Sequence, residues 1–114
     1  MIRFTRGRRV WVRSEPTDLR KGFGGLAGLV LREFGQDLVQ GDFFLFISRD
    51  RRMLKLLAWD GSGLVLVLKR LARGRFAEVW RHRHGDRIEL SIGALNQLLQ
   101  GEDITVAEGW RFSR

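Results

Sequence analysis

His82, His84 and Asp86 stand two residues apart in "WRHRHGDR", a spacing that on a β-strand puts all three side chains on one face. Two imidazoles and a carboxylate so placed are a donor set for a divalent transition metal, or an acid–base set for phosphodiester cleavage. Arg81, Arg83 and Arg87 interleave with them and oppose cation binding, so solvated histidines on an edge strand are the preferred reading. The other carboxylates do not assemble into a catalytic set. Asp18, Asp42, Asp50 and Asp60 fall at expected helix starts and turns, where Asp is favoured for local hydrogen bonds, and no segment marks a two-metal nuclease core. The 114 residues contain no cysteine, which excludes disulfides, thiolate zinc sites and cysteine nucleophiles. The expectation is a non-enzymatic protein with no catalytic residue, metal or cofactor.

A second candidate is "RKGFGGLAGLVLREFG" (20–35), with five glycines on a segment whose apolar residues recur at helical spacing. "GFGGLA" formally matches a dinucleotide-binding fingerprint, with Asp50 where a ribose-binding acid would be sought. The context is wrong, because "SEPTDLRK" separates it from the preceding strand and the chain is too short for a doubly wound domain. Glycine costs about 1 kcal/mol against alanine in a helix, and close packing against a neighbour would offset that cost. Gly24 and Gly28 are therefore expected to clear one side of the helix for a close approach. Arg20 and Lys21 would project from its first turns, either toward a phosphate or into solvent.

Charge points toward polyanions. The chain has 21 Lys+Arg against 13 Asp+Glu, a net charge of +8, and only Lys21, Lys55 and Lys69 of the basic set are not arginine. Codon usage in a GC-rich genome would account for the arginine-to-lysine ratio but not for the net excess. "SRDRRMLK" places Arg49, Arg51, Arg52 and Lys55 on and after a hairpin tip, and "KRLARGRF" carries Lys69, Arg70, Arg73 and Arg75. If the strands pair as hairpins, these become one nucleic-acid face, with Arg20 and Lys21 secondary. Phe76 and Trp80 lie among the basic residues as base-stacking aromatics would, but core packing is the preferred reading.

The elements that must position these residues follow from periodicity. Residues 8–14 alternate as a strand, with Val10 and Val12 on one face and Trp11 and Arg13 on the other. A helix is expected from Pro16 or Thr17 to Gly35, with Leu19, Phe23, Leu26, Val30 and Phe34 as its apolar stripe. Strands are expected at 42–48, 53–59, 64–71 and 86–90, with turns at 49–52 and 60–63. Trp59 should pack on the glycine-notched helix. Ser91 should cap a last helix that turns Ile92, Leu95 and Leu99 inward and closes at Gly101. This order predicts an α+β fold, an antiparallel or mixed sheet of about four or five strands with two main helices packed on it, in a single domain over 1–114. With 44% hydrophobic residues the chain can bury a core, and no apolar run approaches the roughly 20 residues of a membrane span. Neither does the N-terminus read as a signal peptide, so a cytoplasmic protein is expected.

Three segments, "PTDLRKGFGGLAGLV" (16–30), "FLFISRDRRMLKLLAWDGSGLVLVLKRLARGRF" (44–76) and "ALNQLLQGED" (94–103), carry a resemblance. In order and spacing the chain resembles the small TnpB-type accessory proteins of the sixty-six family of bacterial insertion sequences, which are unrelated to the RNA-guided nucleases sharing that label. Gly24 and the basic run after Phe76 depart from the expected pattern. The resemblance implies an accessory to transposition, acting beside a separately encoded transposase and close to the nucleoid, and it supplies no catalytic residues. The leading expectation is a DNA-binding accessory that uses Arg49, Arg51, Arg52, Lys69, Arg70, Arg73 and Arg75. The alternatives are an assembly module that binds the transposase or itself, and a small nuclease using His82, His84 and Asp86.

Overall fold

Alternating β-branched and aromatic residues settle into six strands in a computed structural model, which describes residues 8–82, 87–102 and 110–113. In chain order these are β1 (Val10–Arg13), β2 (Phe43–Ile47), β3 (Met53–Trp59), β4 (Leu64–Arg70), β5 (Arg87–Leu90) and β6 (Trp110–Ser113). They form one mixed sheet in the order β4-β3-β2-β1-β5-β6. Only β1 and β2 run parallel, joined by a crossover that contains helix α1 (Phe23–Leu29); every other neighbour is antiparallel. The fold is α+β, as the sequence predicts, with one strand more than expected: β6 pairs with β5.

The period of two divides the sheet's residues between two cores. Val10, Val12, Phe43, Leu45, Ile47, Leu54, Leu56, Ile88 and Leu90 face one layer, which helix α2 (Ile92–Leu99) and the chain around Phe76 and Val79 cover. Trp11, Phe44, Phe46 and Leu57 face the other, against Leu26, Leu29, Val30 and Phe34 of the crossover. β2 is buried on both faces, so its run "FFLFI" is continuously apolar rather than alternating. Ser91 Oγ accepts the Ala94 N–H at 3.0 Å and caps α2, although the buried stripe there is Ala94, Leu95 and Leu98 while Ile92 stays 38% exposed.

α1 begins later than its periodicity predicts. Thr17 N donates to Ile47 O, extending the end of β2, and Asp18 folds Arg20 into a local turn. Lys55 Nζ reaches from β3 to donate to Leu19 O at 2.7 Å and Lys21 O at 2.9 Å. Those carbonyls would otherwise have accepted from the next helical turn, so the helix starts at Phe23 instead. Leu19 is still buried, now from the loop, while Phe23 is 49% exposed. The glycines do not provide a close approach. Beside Gly24 there is nothing within 4 Å of where a Cβ would stand, and the nearest group beside Gly28 is the flexible end of the Arg32 side chain. α1 continues as a π turn over Val30–Phe34, and Gly35, at φ 60°, ends it in the left-handed conformation that glycine adopts freely.

Arg13 binds this crossover to the sheet. Its Nε and Nη2 donate to the two Glu33 oxygens at 2.6 and 2.8 Å, Nη1 donates to Pro16 O at 3.0 Å, and Nη2 also reaches Glu15. The charge-assisted bonds from Arg13 hold the Glu33 carboxyl below its ordinary value of 4.5. A lowered folded value means stability that is fully present above the unfolded value and lost as pH falls through the folded one. Glu33→Gln should therefore unfold more easily at pH 7 by about 1–2 kcal/mol, the low end for charge-assisted bonds because Glu33 is partly solvated. Denaturant melts should show the gap to wild type closing as pH falls below the ordinary value of 4.5.

Candidate nucleic-acid interface

The turn between β2 and β3 is built by its own polar residues. Ser48 Oγ donates to Asp50 Oδ1 at 2.7 Å, the Arg52 N–H donates to the same oxygen, and Ser48 N donates to Met53 O. The bond from Ser48 and then that from the Arg52 amide keep the Asp50 carboxyl below the usual range. Arg51 takes φ 60°, uncommon for a residue with a side chain. Its backbone carbonyl accepts the Phe76 N–H at 2.7 Å, its guanidinium donates to Phe76 O at 3.1 Å, and Arg52 O accepts from Leu71 N. These bonds fold the segment after β4 onto the turn.

The result is a concavity of about 240 Å³ lined by Arg52, Arg70, Leu71, Ala72, Arg73, Gly74 and Arg75, with no carboxylate in its wall. Gly74, at φ 72°, makes the bend that sets Arg73 and Arg75 around it. Among the described residues no ion pair joins Arg49, Arg52, Arg70, Arg73 or Arg75 to an acid. Arg70 makes only a long contact, 4.0 Å, to Met53 Sδ. Four arginines thus line one hollow, and a guanidinium's planar set of donors matches phosphate oxygens.

The remaining predicted site residues separate. Lys69 is the neighbour of Arg70 on β4 and so points to the opposite face of the sheet. Arg51 spends its guanidinium on Phe76. Arg49 and Arg20 line a second hollow of about 680 Å³ with Pro16, Thr17, Asp18, Leu19, Ser48, Asp50 and Met53. There Arg20 is held by Asp18 through contacts of 2.7–3.1 Å, and those bonds pull the Asp18 carboxyl far below the usual carboxylate range. Lys21 is exposed ahead of α1 rather than within its first turns, and its side chain lies beside Gly25. Phe76 is fully buried and Trp80 packs partly buried on the same core, so neither offers a face for bases. His82 ends a short 3-10 helix over Val79–His82, while His84 and Asp86 lie outside the described residues. Among the described residues no group of three His, Asp or Glu side chains could hold a metal ion. Nor is any described helix long and apolar enough to cross a membrane.

The Asp60 turn behaves as its sequence predicts. Asp60 Oδ1 accepts from Ser62 N at 2.9 Å and Gly63 N at 3.0 Å, Gly61 takes φ 103°, and β3 passes into β4 with seven paired residues. Trp59 lines a hollow with Ala27, Leu31 and Leu38 beyond the glycines, at the far end of the helix.

Fold and site together define a small α+β protein with a cationic rim. The chain belongs to the IS66 Orf2-like family, whose model, described as IS66 Orf2 like protein, matches residues 8–109. It is a family associated with insertion-sequence transposition. The chain is also 40% identical over 95 residues to "Uncharacterized protein y4hO" of Sinorhizobium fredii, covering 83% of this chain and 81% of that one. A second S. fredii protein, "Uncharacterized protein y4jC", is 40% identical over 76 residues, 67% of this chain and 65% of its own length. No solved structure matches.

Lys55 belongs to the sequence's basic tip but serves the fold. Lys55→Met keeps the aliphatic stem and leaves two carbonyls without their donor, so it should cost about 1–3 kcal/mol in thermal or denaturant unfolding. Its effect on nucleic-acid affinity at a temperature where it remains folded should be within twofold.

Proposed function

We propose that this protein is a non-catalytic accessory of transposition that grips the DNA backbone with its arginine-lined concavity and so assists the transposase encoded by the same element. The acid-free hollow formed by Arg52, Arg70, Arg73 and Arg75 carries the reading. The net charge of +8 supports it, since a cationic surface draws in polyanions and each phosphate contact releases condensed counterions. Family membership supports the context of transposition. Arg49, on the same turn, lines the neighbouring hollow and is a secondary contact. Arg20, Arg51 and Lys69 contribute long-range field and little direct contact, because they are paired, engaged or on another face, and exposed Lys21 is secondary. Guanidiniums on phosphates position a duplex without reading its bases, so the grip is sequence-tolerant.

Fluorescence anisotropy with a labelled duplex across a salt series tests this. Replacing Arg70, Arg73 and Arg75 together by Ala should weaken binding to an insertion-sequence end and to a scrambled duplex alike. The slope of log affinity against log salt should flatten by about 2–3, near 0.9 for each lost phosphate contact. Lys69→Ala should leave the slope within about 0.5 of wild type. A triple variant with an unchanged slope would reject the concavity as the DNA grip.

A further inference from the structure

β4 ends the sheet, with β3 as its neighbour on one side and, among the described residues, nothing paired on the other. One line of its backbone N–H and C=O groups is therefore open. Such edges are ordinarily blunted by a proline, an inward charge, a bulge or shortness. β4 ends in Lys69 and Arg70, but its first five residues, "LVLVL", carry no charge, proline or bulge. It keeps unbroken register with β3 over seven pairs, and Val67 and Leu68 are 45% and 53% exposed on opposite faces. An unbulged aliphatic edge of this kind is a template for pairing with another strand.

We infer that β4 pairs with β4 of a second copy of this chain, antiparallel about a two-fold axis at Leu66, to make one continuous sheet across the dimer. The self-matching aliphatic run suits a second copy, and the charge layout selects the direction. Asp60 lies before β4, while Arg70, Arg73 and Arg75 lie at and beyond its end. With Leu66 opposite its own copy, Leu64 meets Leu68 and Val65 meets Val67, so all five aliphatic residues find aliphatic partners. Arg70 then lies past the end of the other copy's β4, and the two arginine clusters sit at opposite ends of the seam. Parallel pairing would instead stack like charges. The dimer carries two arginine concavities, but its existence does not depend on either of them binding DNA.

Sedimentation or light scattering of the full chain without nucleic acid reads the outcome. Wild type should reach twice the chain mass as concentration rises through the micromolar range. Val67→Lys puts a charge on each strand at the seam and should stay monomeric at the same concentrations, with an unchanged circular dichroism spectrum. Should that variant fail to fold, cysteine cross-linking decides, because the natural chain has no cysteine. Residues directly opposite on antiparallel strands have Cα atoms about 4.5–5.5 Å apart, within disulfide reach. Leu66→Cys should therefore oxidise to a reducible covalent dimer, while Val65→Cys, which faces Val67, should do so at least fivefold less. A wild-type monomer throughout the range, whether its edge is covered by its own chain or awaits a different protein, would overturn the inference. Equal cross-linking at the two positions would do the same.

Discussion

The guanidinium of Arg13 is the point on which the rest of the architecture turns. A parallel pair cannot be closed by a tight turn, so β1 and β2 need a crossover long enough to carry α1 over the sheet. Arg13, at the end of β1, spends its donors on Glu33 at the crossover's far end and on Glu15 and the Pro16 carbonyl at its beginning. The same clamp seals Phe34 against Phe44, whose rings meet edge to face at 5.2 Å. Lys55 adds a second tether midway. With the crossover fixed, β2 is covered on both faces, and the β2–β3 turn is presented at the sheet's end.

This protein sorts its arginines by what they spend their donors on. Arg9 pairs with Glu89 and stacks over Trp11 at 4.4 Å, Arg13 with Glu33, Arg20 with Asp18, and Arg81 with Glu78. These cations hold strands and turns together. Arg52, Arg70, Arg73 and Arg75 instead line a hollow with no acid in its wall. The bonds between Phe76 and Arg51 that gather the cluster also bury Phe76, so the concavity is tied to the core rather than left on a loose loop.

Much of this was legible in local pattern. Alternation in "RRVWVRS" put Val10 and Val12 on one face and Trp11 and Arg13 on the other, and Ser91 and Asp60 marked a cap and a turn through their own hydrogen bonds. The late start of α1 was not legible, because the donor that claims the Leu19 and Lys21 carbonyls arrives from Lys55, far along the chain. Glycine spacing shows that one side of a helix is bare, but not whether that side meets a neighbour or open space; here Gly24 meets open space. Separating Lys69 from Arg70 needed only the strand's period of two. Releasing Arg51 from the cluster needed the tertiary bond to Phe76.

The most direct test of this division of labour is arginine side-chain NMR, following the Nε–H resonances as duplex DNA is added at low salt. The account predicts that the signals of Arg52, Arg70, Arg73 and Arg75 move together with the titration, while those of Arg9 and Arg13, already committed to Glu89 and Glu33, stay where they are. Movement of the committed pair with the four concavity resonances unchanged would contradict it.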